Sequence, residues 1–156
     1  MFRIEAYTSE SQIKSIDSIL PIIQNQMEFI GTSKSLKQTK QALLNAMKPV
    51  SRAVLFVGYN ENDVPISFAF GNICVGLQVG DYFWLNEIHV DTSCRRTGFA
   101  STFLSWIENW LKKKNIYYIA TMTGKKNIAS QNLFKKNGFD LDNIIWMDKE
   151  GKLLDQ

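Results

Sequence analysis

Histidine occurs once in this sequence and cysteine only twice, at Cys74 and Cys94. With no CxxC pair and a single imidazole, neither a zinc site nor a disulfide framework is expected. A reduced, cytoplasmic setting is the default for so few thiols. No apolar run reaches the roughly 18 residues needed to cross a bilayer. The first ten residues, MFRIEAYTSE, hold no apolar signal core. Repeats, low-complexity tracts and linkers are missing as well. What remains is one soluble domain over residues 1–156, long enough to bury a substantial core.

Acidic residues are scarce in one region. Residues 91–139 carry nine Lys/Arg but only Asp91 and Glu108, for a net charge of +7, whereas the rest of the chain sums to −4. A basic half suits a polyanionic ligand and an acidic half a cationic one. The run Lys112 to Lys114 needs no ligand, because lysines complement the C-terminal end of a helix dipole.

The periodicities alternate in type. Phe2, Ile4 and Ala6 mark a short strand. Residues 10–30 have apolar side chains at helical spacing, interrupted by Pro21, which predicts a kink or two short helices. A second helix is expected near 34–48, with Ser33 or Ser35 as its N-cap. AVLFVGY (53–59), VPISFAFGNICVG (64–76) and YFWLNEIHV (82–90) form an antiparallel meander joined by turn-type connectors. A helix over 98–114, a strand over 116–122, a helix over 127–137 closed by Gly138, and a last strand over 139–149 follow. The order β-α-α-β-β-β-α-β-α-β predicts an α/β fold of the α+β kind, a mostly antiparallel mixed sheet with one β-α-β crossover.

That crossover carries the chemistry. VDTSCRRTGFAS (90–101) ends a strand and opens a helix. A helix N-terminus offers unpaired amides and partial positive charge, and phosphate binds there if the backbone can be approached. Gly98 and Ala100 leave that room; Arg95 and Arg96 add charge. Neither a Gly-Lys-Ser/Thr P-loop nor a G-x-G-x-x-G run is present. The stretch Arg95-Arg96-Thr97-Gly98-Phe99-Ala100 does fit Gln/Arg-x-x-Gly-x-Gly/Ala. Downstream, NIASQNLFKKNGF (127–139) resembles N-x-x-A-x-x-L-Y-x-K-x-G-F through Asn127, Leu133, Lys136, Gly138 and Phe139, with Ser130 and Phe134 as departures.

Together these motifs resemble the GNAT family of N-acetyltransferases over about residues 53–149. The resemblance implies acetyl-CoA (coenzyme A) as co-substrate and no metal. Backbone amides from Arg96 to Ala100, extending to Ser101, would hold its pyrophosphate, with Arg95, Arg96, Thr97, Gly98 and Phe99 around it. The pantetheine arm would add like a strand to Ile88, His89 and Val90, where the fourth and fifth strands splay apart. Asn127, Ser130 and Phe134 would line the far side, and Lys136 would approach a phosphate. The region 20–36, MEFIG in particular, would wall the acceptor. A homodimer would be usual for the family.

Acyl transfer needs a deprotonated amine, whose free pKa is about 10.4. Period-2 alternation puts Phe83, Leu85, Glu87 and His89 on one face of the strand. Glu87 is the first candidate base and His89 the second. Phe134 stands where the family often has a tyrosine that protonates the departing sulfur, so the acid role is unassigned, with Tyr117, Tyr118 or a water as substitutes. The expected activity is acetyl transfer to a primary amine, on a small molecule or a peptide, in one ternary complex. The alternatives are a non-catalytic CoA-binding or sensor protein and, for the basic segment, a nucleic-acid module. No stacking-aromatic motif or recognition helix supports the last, so no nucleic acid is expected as partner.

Overall fold

The computed structural model describes residues 2–145, 147 and 148. Its elements are β1 (Arg3–Tyr7), α1 (Ile16–Phe29), α2 (Leu36–Ala46), β2 (Ala53–Tyr59), β3 (Pro65–Gly76), β4 (Gly80–Val90), α3 (Phe99–Lys112), β5 (Ile119–Thr121) and α4 (Ile128–Lys136). The five strands lie in the order β1-β2-β3-β4-β5. The first four pair antiparallel, and β4 pairs β5 in parallel. The mixed α/β class and the β-α-β crossover are those the periodicity predicts.

The sheet has an apolar cluster on each face. Leu55, Val57 and Phe68 pack under α1 and α2 with Ile19, Leu20, Ile23 and Leu43. Val54, Phe56, Phe83 and Leu85 pack under α3 with Phe103, Leu104, Ile107 and Leu111. Phe134 of α4 closes the second cluster.

The structure sharpens the local expectations at three places. Pro21 does not split α1, which runs unbroken from Ile16 to Phe29. Its ring is on the solvent side, where the carbonyl it leaves unbonded can be hydrated, while Leu20, Ile22 and Ile23 beside it are buried. Ser35, rather than Ser33, caps α2, in a reciprocal pairing with Gln38. The strand expected over 116–122 shrinks to Ile119–Thr121. Asn115 takes a left-handed φ of 60°, and Ile116 N–H still bonds Leu111 C=O, so Ile116 belongs to the exit turn of α3.

The last expected strand, 139–149, does not form over 139–145, 147 and 148; Trp146 and Lys149 lie outside the described residues. Leu141, Ile144, Ile145 and Met147 are exposed. A three-residue β5 is a short template for a further strand.

A bulge in β4 sets up the functional end of the sheet. Phe70 pairs Glu87, and Gly71 pairs Leu85, leaving Asn86 without a partner on β3. Side chains before and after it therefore fall out of phase. Phe83 and Leu85 face α3, but so do Ile88 and Val90. Glu87 and His89 stand opposite Phe70 and Phe68, on the face of α1. Strict alternation, which places Glu87 with Phe83 and Leu85, is thus corrected by one extra residue. Without it both polar groups would lie among the α3 core side chains.

Candidate active site

The ladder between β4 and β5 ends at Leu85–Thr121, sealed by Thr121 Oγ1 donating to Leu85 C=O at 2.9 Å. Beyond it β4 runs five residues further with no strand on that side among the described residues. Asp91 N–H bonds Ile66 C=O at 2.8 Å, continuing the β3–β4 ladder past Ser67–Val90. Antiparallel residues alternate in direction, so Ile88 and Val90 turn their own N–H and C=O groups away from β3. They face the open edge. Of the residues expected to meet the pantetheine arm, these two turn main-chain groups toward it, and His89 contributes its side chain on the α1 face instead.

Past Val90 the chain bends through a single turn, Thr92–Cys94, fixed by Asp91 Oδ1 accepting from Ser93 N–H at 2.8 Å. Thr97 Oγ1 then donates to Cys94 C=O at 2.8 Å. Arg96 and Gly98 both adopt left-handed backbone, with φ of 63° and 83°. Alternation of this kind turns successive amides into one concavity that suits an anion. Ser101 and Thr102 N–H both bond Gly98 C=O. The amides of Arg96 to Ala100 have no backbone acceptor among the described residues. Nothing lies within 4 Å of where a Cβ on Gly98 would be. The cradle therefore fits a diphosphate, and the open β4 edge fits an amide-bearing arm.

The other expected donor-side residues divide. Phe99 is buried against Phe103 and Phe2, so only its amide is available to a ligand. Ala100 is half-buried against the α3 cluster. Ser101 Oγ accepts from Asn137 Nδ2 at 3.0 Å, which joins the first turn of α3 to the end of α4 and brings exposed Lys136 to the same end. Asn127 caps α4 through Ser130 N–H, at 3.1 Å. Phe134 is 5% exposed, in the core against Phe139. Tyr117 and Tyr118 sit by Phe83, whose N–H bonds Tyr118 C=O, at the opposite end of β4 from the splay. Neither is placed to protonate a leaving group.

Arg95 turns the other way from the cradle. Its Nε donates to Val90 C=O at 3.1 Å, and its guanidinium lies 5.1 Å from the centre of the Phe29 ring. There it joins Asn25, Glu28, Phe29, His89, Asp91 and Thr92 around a recess of about 320 Å³. His89 is buried between Phe29 and Phe68. Burial first, then the Arg95 charge, hold its imidazole below the ordinary range, so it is neutral at pH 7. Glu87, on the same face, is reached by solvent, yet surrounding walls strip enough hydration to hold its carboxyl above the usual range; Lys34 partly offsets this. A carboxylate with a raised pKa is suited to take a proton from an amine.

A second recess of about 470 Å³ lies at the β1 edge, lined by Arg3, Glu5, Tyr7, Lys14, Tyr59 and Asp63. Its groups satisfy one another. Arg3 pairs Glu5 and Asp63 and covers the Tyr59 ring, and Tyr7 and Tyr59 hydroxyls bond at 2.9 Å. Two strands, β2 and β3, separate that edge from β4.

Sequence patterning did not single out Asn25, Asp91, Thr92 or the bulge at Asn86. Asp91 alone left a trace, as one of two acids in a basic region. Glu28 and Phe29 fall in the MEFIG stretch expected to wall the acceptor. Among the described residues no group of metal-ligating side chains assembles, and no helix is long and apolar enough to cross a membrane.

Comparison with known proteins agrees with this geometry. A probable acetyltransferase is 17% identical, with 99% of each chain covered and a TM-score of 0.79. A predicted acetyltransferase from Clostridium acetobutylicum, solved with acetyl-CoA, is 19% identical over 95% of this chain and 96% of its own, with a TM-score of 0.71. An aminoglycoside antibiotic 6'-N-acetyltransferase from Acinetobacter baumannii is 18% identical over 97% of this chain and 100% of its own, also with a TM-score of 0.71. These likenesses establish the fold. No curated protein sequence matches the chain. The acetyltransferase (GNAT) family matches residues 18–139, from α1 past the end of α4 and through every site residue named above, and the chain belongs to that family.

Proposed function

We propose that this acetyltransferase uses acetyl-CoA to acetylate the amine of a small, cationic molecule, with Glu87 as general base. The observation that carries the reading is the bulge at Asn86. It aims Glu87 and His89 at one face of β4 while the main chain of Ile88 and Val90 faces the edge beside the amide cradle. Donor and acceptor thereby meet at the same four residues from two directions.

The amines of substrates are mostly protonated near neutral pH, and an ammonium has no lone pair. Glu87 accepts that proton, directly or through a water. The amine nitrogen then bonds to the carbonyl carbon while the carbon–sulfur bond breaks. The N–H of Ile88 or Val90 is available to the carbonyl oxygen as charge develops there. The bound co-substrate supplies an activated thioester whose thiol, with a pKa of about 8.5, leaves without a strong acid. Phe134, buried, therefore does not forbid turnover. The carboxylates of Glu28 and Asp91 in the recess favour a cationic acceptor. Two groups of structural neighbours are named for aminoglycoside acetylation, which makes amino sugars the first acceptors to try.

The test is a thiol-release screen with acetyl-CoA against aminoglycosides, polyamines, amino sugars and peptide N-termini. Release that depends on Glu87 supports the reading. The lack of any hydroxyl at position 134 favours a non-catalytic CoA sensor as the second reading. CoA binding with no release on any amine would establish that one instead.

A further inference from the structure

The Arg95 side chain touches both halves of the site. Its backbone belongs to the turn leading into the cradle, yet its Nε–H is spent on Val90 C=O, the last outward-facing acceptor of β4. Its guanidinium closes the recess against Phe29. Asp91 and Glu28 line the same recess, but neither carboxylate forms an ion pair with Arg95 among the described residues. A neutral carbonyl and an aromatic face are what hold this cation, and neither is a strong hold beside a carboxylate or a phosphate.

We infer that Arg95 is a positioning residue that couples the two halves: it fills the acceptor recess until a donor arm takes the Val90 carbonyl, and is then released toward the cradle. The inference rests on the donor reading given above. Two groups compete for one acceptor. An amide N–H of an arm lying along Ile88–Val90 takes the carbonyl that Arg95 Nε now holds. Once free, the guanidinium lies next to the amides of Arg96 to Ala100, where a diphosphate would supply the charged partner it lacks. Its departure removes a positive charge from a recess that must admit an ammonium. Cationic acceptors are repelled while Arg95 is in place and drawn by Glu28 and Asp91 after it leaves.

The single histidine is a built-in reporter of this movement, since no other imidazole contributes to its signal. His89 is faced by Arg95 and Asp91 from the turn, by Glu28 from α1 and by Glu87 on its own strand, with Lys34 opposite Glu87. Of these the cation Arg95 depresses its titration and Asp91 raises it. The experiment follows the His89 imidazole by NMR through a pH titration of wild type and Arg95→Ala, each alone, with CoA, and with 3'-phospho-ADP, which has the diphosphate but no arm. Calorimetry first establishes that CoA binds.

CoA is expected to move the wild-type midpoint upward by several tenths of a pH unit, and 3'-phospho-ADP to leave it where it was. Arg95→Ala is expected to start at the raised midpoint, with no further rise on adding CoA. The Arg95 side chain is exposed, so its loss leaves the fold intact. An equal shift from both nucleotides means that phosphate charge, not the arm, is sensed, and overturns the inference. So does a CoA-dependent rise that persists in Arg95→Ala. Failure of CoA to bind at all overturns the donor reading itself, a result distinct from either.

Discussion

Asn86 Nδ2 donates to Asn72 Oδ1 at 2.7 Å from the one position in the Tyr82–Val90 stretch of β4 that has no partner on β3. The bond bridges a bulge whose effect on the site is much larger than its own strength. Every side chain after Asn86 points opposite to where a plain strand would send it, so this residue decides that a carboxylate and an imidazole face α1.

Deletion of Asn86 therefore has a sharp expected outcome. Restored alternation must rotate either residues 80–85 or residues 87–90 onto the wrong face. The first choice expels Phe83 and Leu85 from the core, and the second buries Glu87 and His89 under α3. Either is comparable with the roughly 5–15 kcal/mol that holds a domain together. The deletion variant should lose its cooperative urea transition. Asn86→Ala keeps the extra residue and loses only an exposed hydrogen bond, at about 0.5–1 kcal/mol. A deletion variant that unfolds like wild type would remove the bulge from the account.

Glu87→Gln tests the base. Catalysis needs the ionised carboxylate, which is present above its raised pKa and disappears as pH falls through it. Wild-type kcat/KM should decline on that acid side. The Gln variant should lie lower by about 10²-fold or more, with that limb gone, and should bind CoA unchanged. The stability sign runs the other way. Because the native state favours the protonated form, Glu87→Gln should be more stable than wild type at pH 7, and the gap should close as pH falls below the ordinary glutamate range. A turnover profile identical to wild type at all pH values rules out Glu87 as base.

Gly98 separates strain from ligand approach. At φ of 83° an L-residue costs about 1–2 kcal/mol, so Gly98→Ala and Gly98→Val should both melt a few degrees lower. With nothing within 4 Å of the Cβ position, that strain is the whole cost of Gly98→Ala in the free protein. Any further loss measured by CoA calorimetry then reports a side chain standing where the diphosphate must come, and Val should lose more than Ala. Equal CoA affinity in all three proteins would place the donor elsewhere.

Much of this was legible in the residues. Periodicity gave the meander and the crossover, because each strand there buries one face and each helix one stripe. Gly98 and Ala100 marked the cradle, because backbone approach demands small side chains. The bulge was not legible. Asn86 is neither Gly nor Pro, and what forces it is the pairing of Gly71 with Leu85 across the sheet. Arg95 read as a phosphate ligand because sequence shows its neighbours along the chain, not the Phe29 ring and Val90 carbonyl that the turn brings to it. The strand expected at 139–149 has the right apolar pattern, but pattern alone supplies no partner strand.

The final prediction concerns what holds the cradle from beneath. Ser67 is fully buried between Gly58 and Val90, and its hydroxyl has no hydrogen-bond partner among the described residues. A Cβ added at Gly58 would come within 2.2 Å of that oxygen and 3.0 Å of Phe99 Cζ. The two positions are complementary in size, and Phe99 at the start of α3 rests on both. Ser67→Ala should stabilise the protein by about 1 kcal/mol by removing an unbonded buried hydroxyl, raising Tm by about 2–4 °C. Gly58→Ala should destabilise it by about 1–3 kcal/mol through overpacking. In a Ser67→Gly background that loss should shrink, since only the Phe99 contact is left to relieve. Phe99 is also the first helical amide of the cradle, so Gly58→Ala should weaken CoA binding in protein that is still fully folded. A double-mutant cycle read by urea unfolding, with CoA calorimetry on the same proteins, checks both effects. Additive stability changes together with unchanged CoA affinity would mean that the sheet end and the anion cradle are mechanically independent.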